Sequence, residues 1–384
     1  MMTYPLYLIA CVPVLAACQS GPRLVTSAAP EIDDGLIQAS VFLIGDAGAP
    51  RPGDPVLDAL SAELRTLSAP ATVVFLGDNV YPRGIPGEDD PSRAEAERRL
   101  LAQVDLVRGT EARGVFLPGN HDWGKSARDG LQRIRRQQAI IEAQALPNVV
   151  LLPRDGCPGP ELVRVVPGVA LVVLDTQWWL HPHAKPMHPE SACAADATGE
   201  VTAQIRGLLT ADSGWVGVVA HHPVATGGIH GGHFSVLDHL FPLRALKSWL
   251  WLPLPLIGSV YPIARASGIS DQDLSGGRYG ELVDSLRAAF AGAPMLFYAA
   301  GHEHNLQVLR DSTFGHVLVS GAGYFDHASR AVYLDESQFA VTASGYMRVD
   351  AVVDGRVRLG VITVDGDGNV GESFSMWLHS DPEE

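Results

Sequence analysis

Short polar motifs follow apolar runs at five places in this 384-residue chain. Each motif carries side chains that can bind a metal ion. In chain order the motifs are Gly-Asp-Ala-Gly (45–48), Gly-Asp-Asn-Val-Tyr (77–81), Gly-Asn-His-Asp (119–122), His-His-Pro (221–223) and Gly-His-Glu-His (301–304). In an α/β fold, ligands gather beyond the carboxyl ends of the parallel strands. Residues far apart in the sequence are therefore expected to meet at one edge of a sheet.

The segments around the motifs alternate between two patterns. Short runs rich in Val, Ile and Leu predict buried strands at 40–44, 72–76, 114–117, 149–152, 170–174, 215–220 and 295–299. Good helix formers with helical periodicity lie between them, at 55–67, 91–107, 130–145, 201–209 and 281–291. This alternation predicts an α/β architecture. After residue 316 the pattern becomes β-rich, and these strands are expected to complete a second sheet packed against the first.

The composition narrows the range of partners. Hydrophobic residues make up 46% of the chain, which is enough for a large core. The net charge is −15 and no run of Lys or Arg is present, so we expect no nucleic-acid partner. A small phosphoester remains a suitable substrate if metal ions hold its phosphate.

The first 17 residues have the pattern of an export signal. The apolar run at 6–17 is too short to span a bilayer, and it ends in Leu15-Ala16-Ala17-Cys18, which resembles the lipobox of bacterial lipoproteins. The resemblance implies a lipid on Cys18 and a membrane-anchored, exported protein. Residues 1–5 contain no Lys or Arg, which departs from that pattern, and an ordinary cleaved signal peptide is the alternative.

The remainder of the chain divides into a tether and one domain. Residues 18–35 are small and polar and are interpreted as a tether, whereas 36–384 form the domain. Beyond the signal segment the cysteines are Cys157 and Cys193. Export favours a disulfide between them, with two free thiols as the alternative.

One segment, 248–277, is interpreted as an apolar, proline-containing insert. Pro253, Pro255 and Pro262 exclude a continuous membrane helix. The insert either packs on an edge of the sheet or forms an apolar lip beside the site. Such a lip would touch a membrane or an apolar leaving group.

The motif side chains are carboxylates, an amide, imidazoles and a phenol, with no thiolate. Such donors suit borderline to hard divalent metals. Two adjacent metal ions can polarise a phosphoryl oxygen and activate a water for in-line attack. The motifs therefore indicate a dinuclear phosphoester hydrolase.

The five motifs together resemble the calcineurin-like metallophosphoesterase superfamily, and Tyr81 within Gly-Asp-x-x-Tyr resembles the purple acid phosphatases. The resemblance implies a two-sheet αββα sandwich and two metal positions bridged by Asp78. The first position takes Asp46, Asp78, Tyr81 and His304; the second takes Asp78, Asn120, His221 and His302. It further implies Fe(III) at the first position and a divalent Fe, Zn or Mn at the second.

The same resemblance implies a phosphomonoesterase that uses a metal-activated hydroxide, and the N-terminal signal pattern implies that it is exported. A phosphodiesterase or a pyrophosphatase of the superfamily is the alternative. A surface lipoprotein that binds metal without catalysis is a further alternative, although no ligand of the pattern is missing.

Four residues are candidates for substrate contact: Asn120, His121, His230 and His233. Three residues, His121, Asp122 and His230, are candidates for catalysis. His121, oriented by Asp122, is expected to bind phosphate or protonate a leaving group. His230 corresponds to a phosphate-contacting His of the similar phosphatases, and His233 departs from their spacing by one residue. The alternatives are that His121 supports the turn and that the glycine-loop histidines face solvent. His222 is expected to shape the turn before Pro223.

Overall fold

The computed structural model describes residues 29–379, apart from residues 190, 212–213, 246–248 and 256. The predicted signal peptide, Cys18 and most of the predicted tether lie outside these described residues. Among them, no helix is both long and apolar enough to cross a membrane.

The strands are numbered in chain order. They are β1 Ile37–Ile44, β2 Ala71–Phe75, β3 Arg113–Phe116, β4 Val149–Leu151, β5 Glu161–Val166, β6 Val169–Val173, β7 Trp215–Val219, β8 Met295–Ala300, β9 Leu306–Asp311, β10 Gly315–Ser320, β11 Ser337–Val341, β12 Gly345–Val352, β13 Val357–Val364 and β14 Val370–His379. The α-helices are α1 Pro55–Thr66, α2 Arg93–Val107, α3 Gly130–Ala143, α4 Gln177–Leu180, α5 Thr198–Ala211, α6 Val236–Leu240, α7 Val260–Ala266 and α8 Gly277–Phe290.

The strands form two seven-stranded sheets. The first sheet has the order β14-β13-β12-β1-β2-β3-β4, and the second has the order β11-β9-β10-β8-β7-β6-β5. Strands β1 to β4 run parallel in the first sheet, and β6, β7 and β8 run parallel in the second. In the first sheet the parallel strands form one half and end at the edge strand β4, while β12, β13 and β14 extend the other side by antiparallel pairing. In the second sheet β10 also runs parallel to β8, and antiparallel pairing adds β5 at one edge and β9 and β11 at the other.

Three apolar clusters define the layers. One joins the first sheet to helices α1, α2 and α3, and a second lies between the two sheets. The third joins the second sheet to α5 and α8. Because both faces of each sheet are covered, the central strands are buried on both sides, as their unbroken Val, Ile and Leu runs predict. The predicted αββα sandwich is confirmed.

The β-rich C-terminal part differs from the prediction in its position. Strands β12, β13 and β14 extend the first sheet, whereas β10 and β11 belong to the second. Two strands, β5 and β9, were not predicted. Polar residues interrupt both strands, and β5, at a sheet edge, contains the exposed Glu161 and Arg164.

The predicted tether contacts the domain at its first described residues, Ala29 and Pro30. The carbonyl of Ala29 accepts a hydrogen bond of 3.0 Å from Ser375 Oγ, and the carbonyl of Pro30 accepts one of 3.1 Å from Arg358 Nε. Arg358 pairs with Asp350, which pairs with Ser40 near the start of β1. The chain therefore enters the domain at the end of the sheet opposite the motif-bearing loops.

The structure joins Cys157 and Cys193 by a disulfide, with 5.6 Å between their Cα atoms. Cys157 follows β4, and Cys193 lies in the loop between α4 and α5. The bridge therefore connects the end of the first sheet's parallel strands to a loop of the second sheet.

Replacing both cysteines by alanine is expected to lower the free energy of unfolding by about 4 kcal/mol. The disulfide closes a loop of 36 residues, and its loss restores that loop's freedom in the unfolded chain. Urea unfolding of the double variant, compared with the wild type under reducing and oxidising conditions, measures the effect. Equal unfolding midpoints for the oxidised wild type and the double variant would contradict it.

Candidate metal centre

The five motifs converge where the parallel strands end. Asp46 follows β1, Asp78 follows β2 and Asn120 follows β3 in the first sheet, while His221 follows β7 and His302 follows β8 in the second. All five side chains are buried. The structure thus brings together donors from both sheets at one edge of the sandwich.

The donors predicted for the second metal position lie at coordination spacing. His221 Nε2 is 3.0 Å from Asn120 Oδ1, and His302 Nδ1 is 3.3 Å from both of these atoms. Ligand atoms about 2.1 Å from one ion and at right angles to each other are about 3.0 Å apart. Asp78 Oδ1 lies 3.5 Å from His221 Nε2, so the carboxylate borders the same space.

The protons on the two imidazoles are fixed by backbone carbonyls. His221 Nδ1 lies 2.8 Å from the carbonyl of Leu76, and His302 Nε2 lies 2.9 Å from that of Gln272. A carbonyl only accepts, so these nitrogens carry the hydrogens, and the opposite nitrogens carry lone pairs. His221 Nε2 and His302 Nδ1 therefore direct lone pairs at each other and at an amide oxygen. A cation between them removes that repulsion.

The donors of the first metal position are equally close. The Tyr81 hydroxyl donates to Asp46 Oδ1 at 2.8 Å and lies 3.2 Å from His304 Nε2. His304 Nε2 is 3.5 Å from Asp46 Oδ1. Ligand atoms of Asp46, Asp78 and His221 all lie within 4.8 Å of one another. The two groups of donors are therefore adjacent, with Asp78 between them.

The electrostatics of the cluster favour bound cations. Burial, and then the neighbouring carboxylates of Asp46 and Asp122, raise the pKa of Asp78 well above its usual value. Burial and the charges of Asp46 and Asp78 raise the pKa of Tyr81 in the same way. Burial opposes the ionisation of Asp46, but hydrogen bonds with His304 and Tyr81 lower its pKa to about 2. A cation stabilises each anionic form and so relieves the crowding of negative groups.

Burial also keeps the imidazoles in their metal-binding form. It lowers the pKa of His221, and it lowers the pKa of His302 well below the usual value. Neutral imidazole is the form that coordinates a metal. The donor set therefore fits two metal ions.

Three of the predicted ligands have an unusual backbone conformation. Asp46, Asp78 and His302 have φ angles of 56°, 53° and 70°. Residues other than glycine rarely adopt this left-handed region, and each such residue costs about 1–3 kcal/mol. The surrounding hydrogen bonds hold this conformation: Asp46 N donates to the Gly77 carbonyl at 3.0 Å, and His302 N donates to Asp46 Oδ2 at 2.7 Å.

The catalytic candidate Asp122 holds the loops in place. Its carboxylate accepts hydrogen bonds from the backbone N–H groups of Gly119, Asn79 and Val80, at 2.8, 3.1 and 3.1 Å. It also accepts one from the Asn79 side chain, at 3.1 Å. The loops after β2 and β3 are therefore locked together directly beneath Asp78 and Asn120.

The structure gives His121 a different partner from the predicted one. Its Nδ1 donates to the carbonyl of Pro82 at 2.8 Å, and its Nε2 lies 3.8 Å from Asp78 Oδ2. The ring also packs edge-on against Tyr81, with centroids 4.4 Å apart. His121 thus faces the Asp78 carboxylate with its Nε2.

His230 lies against the second metal position. Its ring centroid is 4.0 Å from that of His302. Its Nδ1 is 2.9 Å from Asp273 Oδ1 and 2.9 Å from the carbonyl of Gln272. Arg265 in turn forms a double hydrogen bond with Asp273. Because Nδ1 is engaged, Nε2 is the ring atom left for a substrate.

The sequence patterns did not identify the residues that hold His230 in place. Arg265, Gln272 and Asp273 all belong to the insert 248–277, and the burial of Asp273 is the sign that it has a specific partner. No local motif marks these residues, since their contacts depend on how the insert folds. The insert therefore reaches the metal centre through its polar half.

Two further aromatic residues beside the first position were also missed. The His327 ring stacks on His304 with centroids 3.8 Å apart, and Tyr324 OH is 2.8 Å from His327 Nδ1. Both lie just after β10, and no sequence motif marked them. His327 packs directly against the His304 ring, and Tyr324 contacts His327 in turn.

Two histidines of the motif loops have other positions. His233 N donates to the Gly228 carbonyl at 3.2 Å, which closes the glycine loop, and no described contact joins its ring to the donor cluster. His222 lies 2.8 Å from Thr176 Oγ1 and 3.1 Å from Gln272 Oε1. Both of its ring nitrogens are thus occupied by protein groups.

Solved structures share this fold. An anchor protein of the Plasmodium inner membrane complex, GAP50, matches with a TM-score of 0.52 and 13% identity over 91% of this chain and 90% of that one. The purple acid phosphatase PPD1 from yellow lupin matches with a TM-score of 0.51 and 13% identity, over 88% of this chain and 53% of that one. A dimetal phosphatase from Danio rerio matches with a TM-score of 0.49 and 13% identity, over 89% and 99%. Neither protein-family profiles nor curated protein sequences match.

Gly119→Ala is expected to abolish metal binding. A methyl group at this position would lie 2.3 Å from both the backbone nitrogen and Oδ1 of Asp78. The Asp78 carboxylate would have to move out of the space between the two donor groups. Metal content after reconstitution and dialysis measures the loss.

Gly87→Ala is the matched control, because nothing lies within 4 Å of a methyl group there. It should bind as much metal as the wild type. Full metal occupancy in the Gly119 variant would contradict the assigned role of Asp78.

Proposed function

We propose that this protein is a dinuclear metallophosphoesterase. The proposal rests on the two adjacent groups of donors. In the group at the second position, donor atoms of Asn120, His221 and His302 lie 3.0–3.3 Å apart with their lone pairs facing one another. A buried arrangement of this kind is costly without cations and is suited to two of them. The shared fold of the lupin phosphatase supports the same class.

Two metal ions, when bound, supply Lewis-acid polarisation of a phosphoryl oxygen and a nucleophile derived from water. Asp46, Tyr81 and His304 would hold the first ion, and Asn120, His221 and His302 the second, with Asp78 shared. The protein's own contribution is to fix these donors. Leu76 and Gln272 set the imidazole tautomers, and Asp122 ties down the loops that carry Asp78 and Asn120.

The remaining side chains define a place for the phosphoester. His121 and His230 lie on two sides of the donor cluster, each held through Nδ1 with its Nε2 free of the described hydrogen bonds. These two atoms are positioned to contact phosphate oxygens or the leaving group. Asn120 borders the same space. His233 is a weaker candidate, since its described contact only closes the loop.

Within this class we propose a phosphomonoesterase of the purple acid phosphatase type. Tyr81 supports it, because a phenol beside a carboxylate and an imidazole suits Fe(III) at the first position, with divalent Fe, Zn or Mn at the second. The lipobox-like segment ending at Cys18 supports an exported, lipid-anchored protein.

Phosphodiesterase or pyrophosphatase activity is the alternative, because it would use the same metal donors.

A non-catalytic anchoring role is a second candidate, because one protein of this fold is described as an anchor in a membrane complex. The complete donor set favours catalysis. Comparative rates on monoesters, diesters and pyrophosphate distinguish these activities.

Asp78→Asn is expected to lower phosphomonoester turnover by about a thousandfold or more, because it removes the charge shared by the two metals. Turnover of a soluble aryl phosphate and metal content per chain are the measurements. Asp335→Asn, at an exposed position, is the matched control and should retain both. Wild-type protein that holds two metals and hydrolyses no phosphoester would overturn the proposed function.

Tyr81→Phe is expected to remove a visible charge-transfer band from the iron-loaded protein while His304 and Asp46 remain. The phenolate of Tyr81 is the group that would produce the band. Absorption spectra of the two iron-reconstituted proteins test this. An identical band in the variant would exclude Tyr81 as a ligand, and a colourless wild type with bound Fe(III) would exclude the purple type.

A further inference from the structure

The described surface has one concentration of exposed apolar side chains. Ten of the fourteen exposed large hydrophobic residues lie between Val236 and Ile269, and we call this segment the apolar lip. Trp249 and Ile257 are 72% exposed and Ile269 is 76% exposed. Single exposed apolar residues are ordinary, but a concentration of this kind marks a binding surface.

The lip also differs from the rest of the chain in charge. It contains Arg244, Lys247 and Arg265 and one acidic residue, Asp238, which gives a net charge of +2. The remainder of the chain therefore carries −17, since the total is −15. A cationic and apolar segment on an acidic protein suits a ligand with an anionic head and an apolar body.

A cavity of about 200 Å³ lies between the lip and the glycine loop. Its walls are mainly apolar or aromatic, with two charged side chains. The lining residues are Ile229, Phe234, Asp238, Phe241, Pro242, Tyr261 and Arg265. The volume matches a ring or a short alkyl chain rather than a whole ligand.

Contacts connect this cavity to the metal centre. The Arg265 guanidinium lies 5.8 Å from the ring centroids of both Phe234 and Tyr261. Its Nη2 is 3.0 Å from His230 Nδ1, and the His230 ring is 4.0 Å from that of His302. The cavity is thus separated from a predicted metal ligand by Arg265 and His230.

We propose that the substrate is an amphiphilic phosphoester whose apolar alcohol occupies this cavity and continues over the apolar lip. The inference rests on the proposed function, because it assigns the alcohol of the ester that the metal centre would cleave. His230 then contacts the phosphoryl group, and Phe234, Phe241 and Tyr261 contact the first carbons of the alcohol. The exposed tryptophans of the lip contact the rest of a longer chain.

The test compares ethyl, butyl and hexyl phosphate, all as soluble monomers, with the full-length metal-loaded enzyme. Each methylene that enters the cavity should raise kcat/KM about fourfold. Phe241→Ala, and independently Tyr261→Ala, should lower the hexyl-to-ethyl ratio of kcat/KM toward one. Val353→Ala, an exposed apolar residue outside the lip, is the matched control and should keep the wild-type ratio.

Equal kcat/KM for ethyl and hexyl phosphate in the wild type would overturn the inference. So would a hexyl-to-ethyl ratio that neither cavity variant changes. Absence of hydrolysis of every ester, including ethyl phosphate, would instead overturn the proposed function. The two failures are therefore distinct.

The lip is tested with a long-chain substrate. The double variant Trp249→Ser and Trp251→Ser should lower the rate on dodecyl phosphate in neutral-lipid vesicles relative to the rate on soluble hexyl phosphate. A severalfold fall in this ratio supports contact between the lip and the chain. An unchanged ratio would contradict that contact.

Discussion

Hydrogen bonds that cross between the two sheets hold the candidate metal centre together. Gly45 N donates to the carbonyl of Ser320 at 2.7 Å, and His302 N donates to Asp46 Oδ2 at 2.7 Å. His221 Nδ1 reaches the Leu76 carbonyl at 2.8 Å. Each bond joins a loop of one sheet to a loop of the other. The donor cluster therefore exists only when the sandwich is assembled, and metal binding is expected to stabilise the packing of the two sheets.

Without bound metal ions, the arrangement of the donor cluster is unfavourable in free energy. Three of the predicted ligands have positive φ angles, two buried carboxylates lie beside a buried phenol, and two imidazole lone pairs face each other. Such features accumulate at functional sites, where a ligand relieves them. A pair of cations would relieve two of these features, the crowding of negative groups and the repulsion between lone pairs.

Sequence patterns predicted the layers and the donors because both depend on local signals. Asp46, Asp78, Asn120, His221 and His302 each follow an apolar run, and parallel strands bring their ends together. The partners of the C-terminal strands were not predictable, since alternation shows which face is buried but not which strand lies alongside. Arg265 and Asp273 were missed for a similar reason. Their link to His230 arises only when the insert folds back over the glycine loop.

The insert at 248–277 has two proposed roles. Its polar half fixes His230 through Asp273, and its apolar half borders the path that a substrate alcohol would follow. Both roles require the insert to lie at the rim of the site as several short elements. The prolines prevent a long helix and leave short elements, of which α7 carries both Tyr261 and Arg265.

A crystal structure of the metal-reconstituted protein with anomalous scattering would show directly whether the donor cluster holds two metal ions. We expect two ions about 3.5–4 Å apart. One should contact Tyr81 Oη and His304 Nε2, and the other His221 Nε2 and His302 Nδ1, with Asp78 touching both. A single bound ion would contradict the proposed dinuclear centre. Ions bound elsewhere, with no ion between His221 and His302, would contradict it as well.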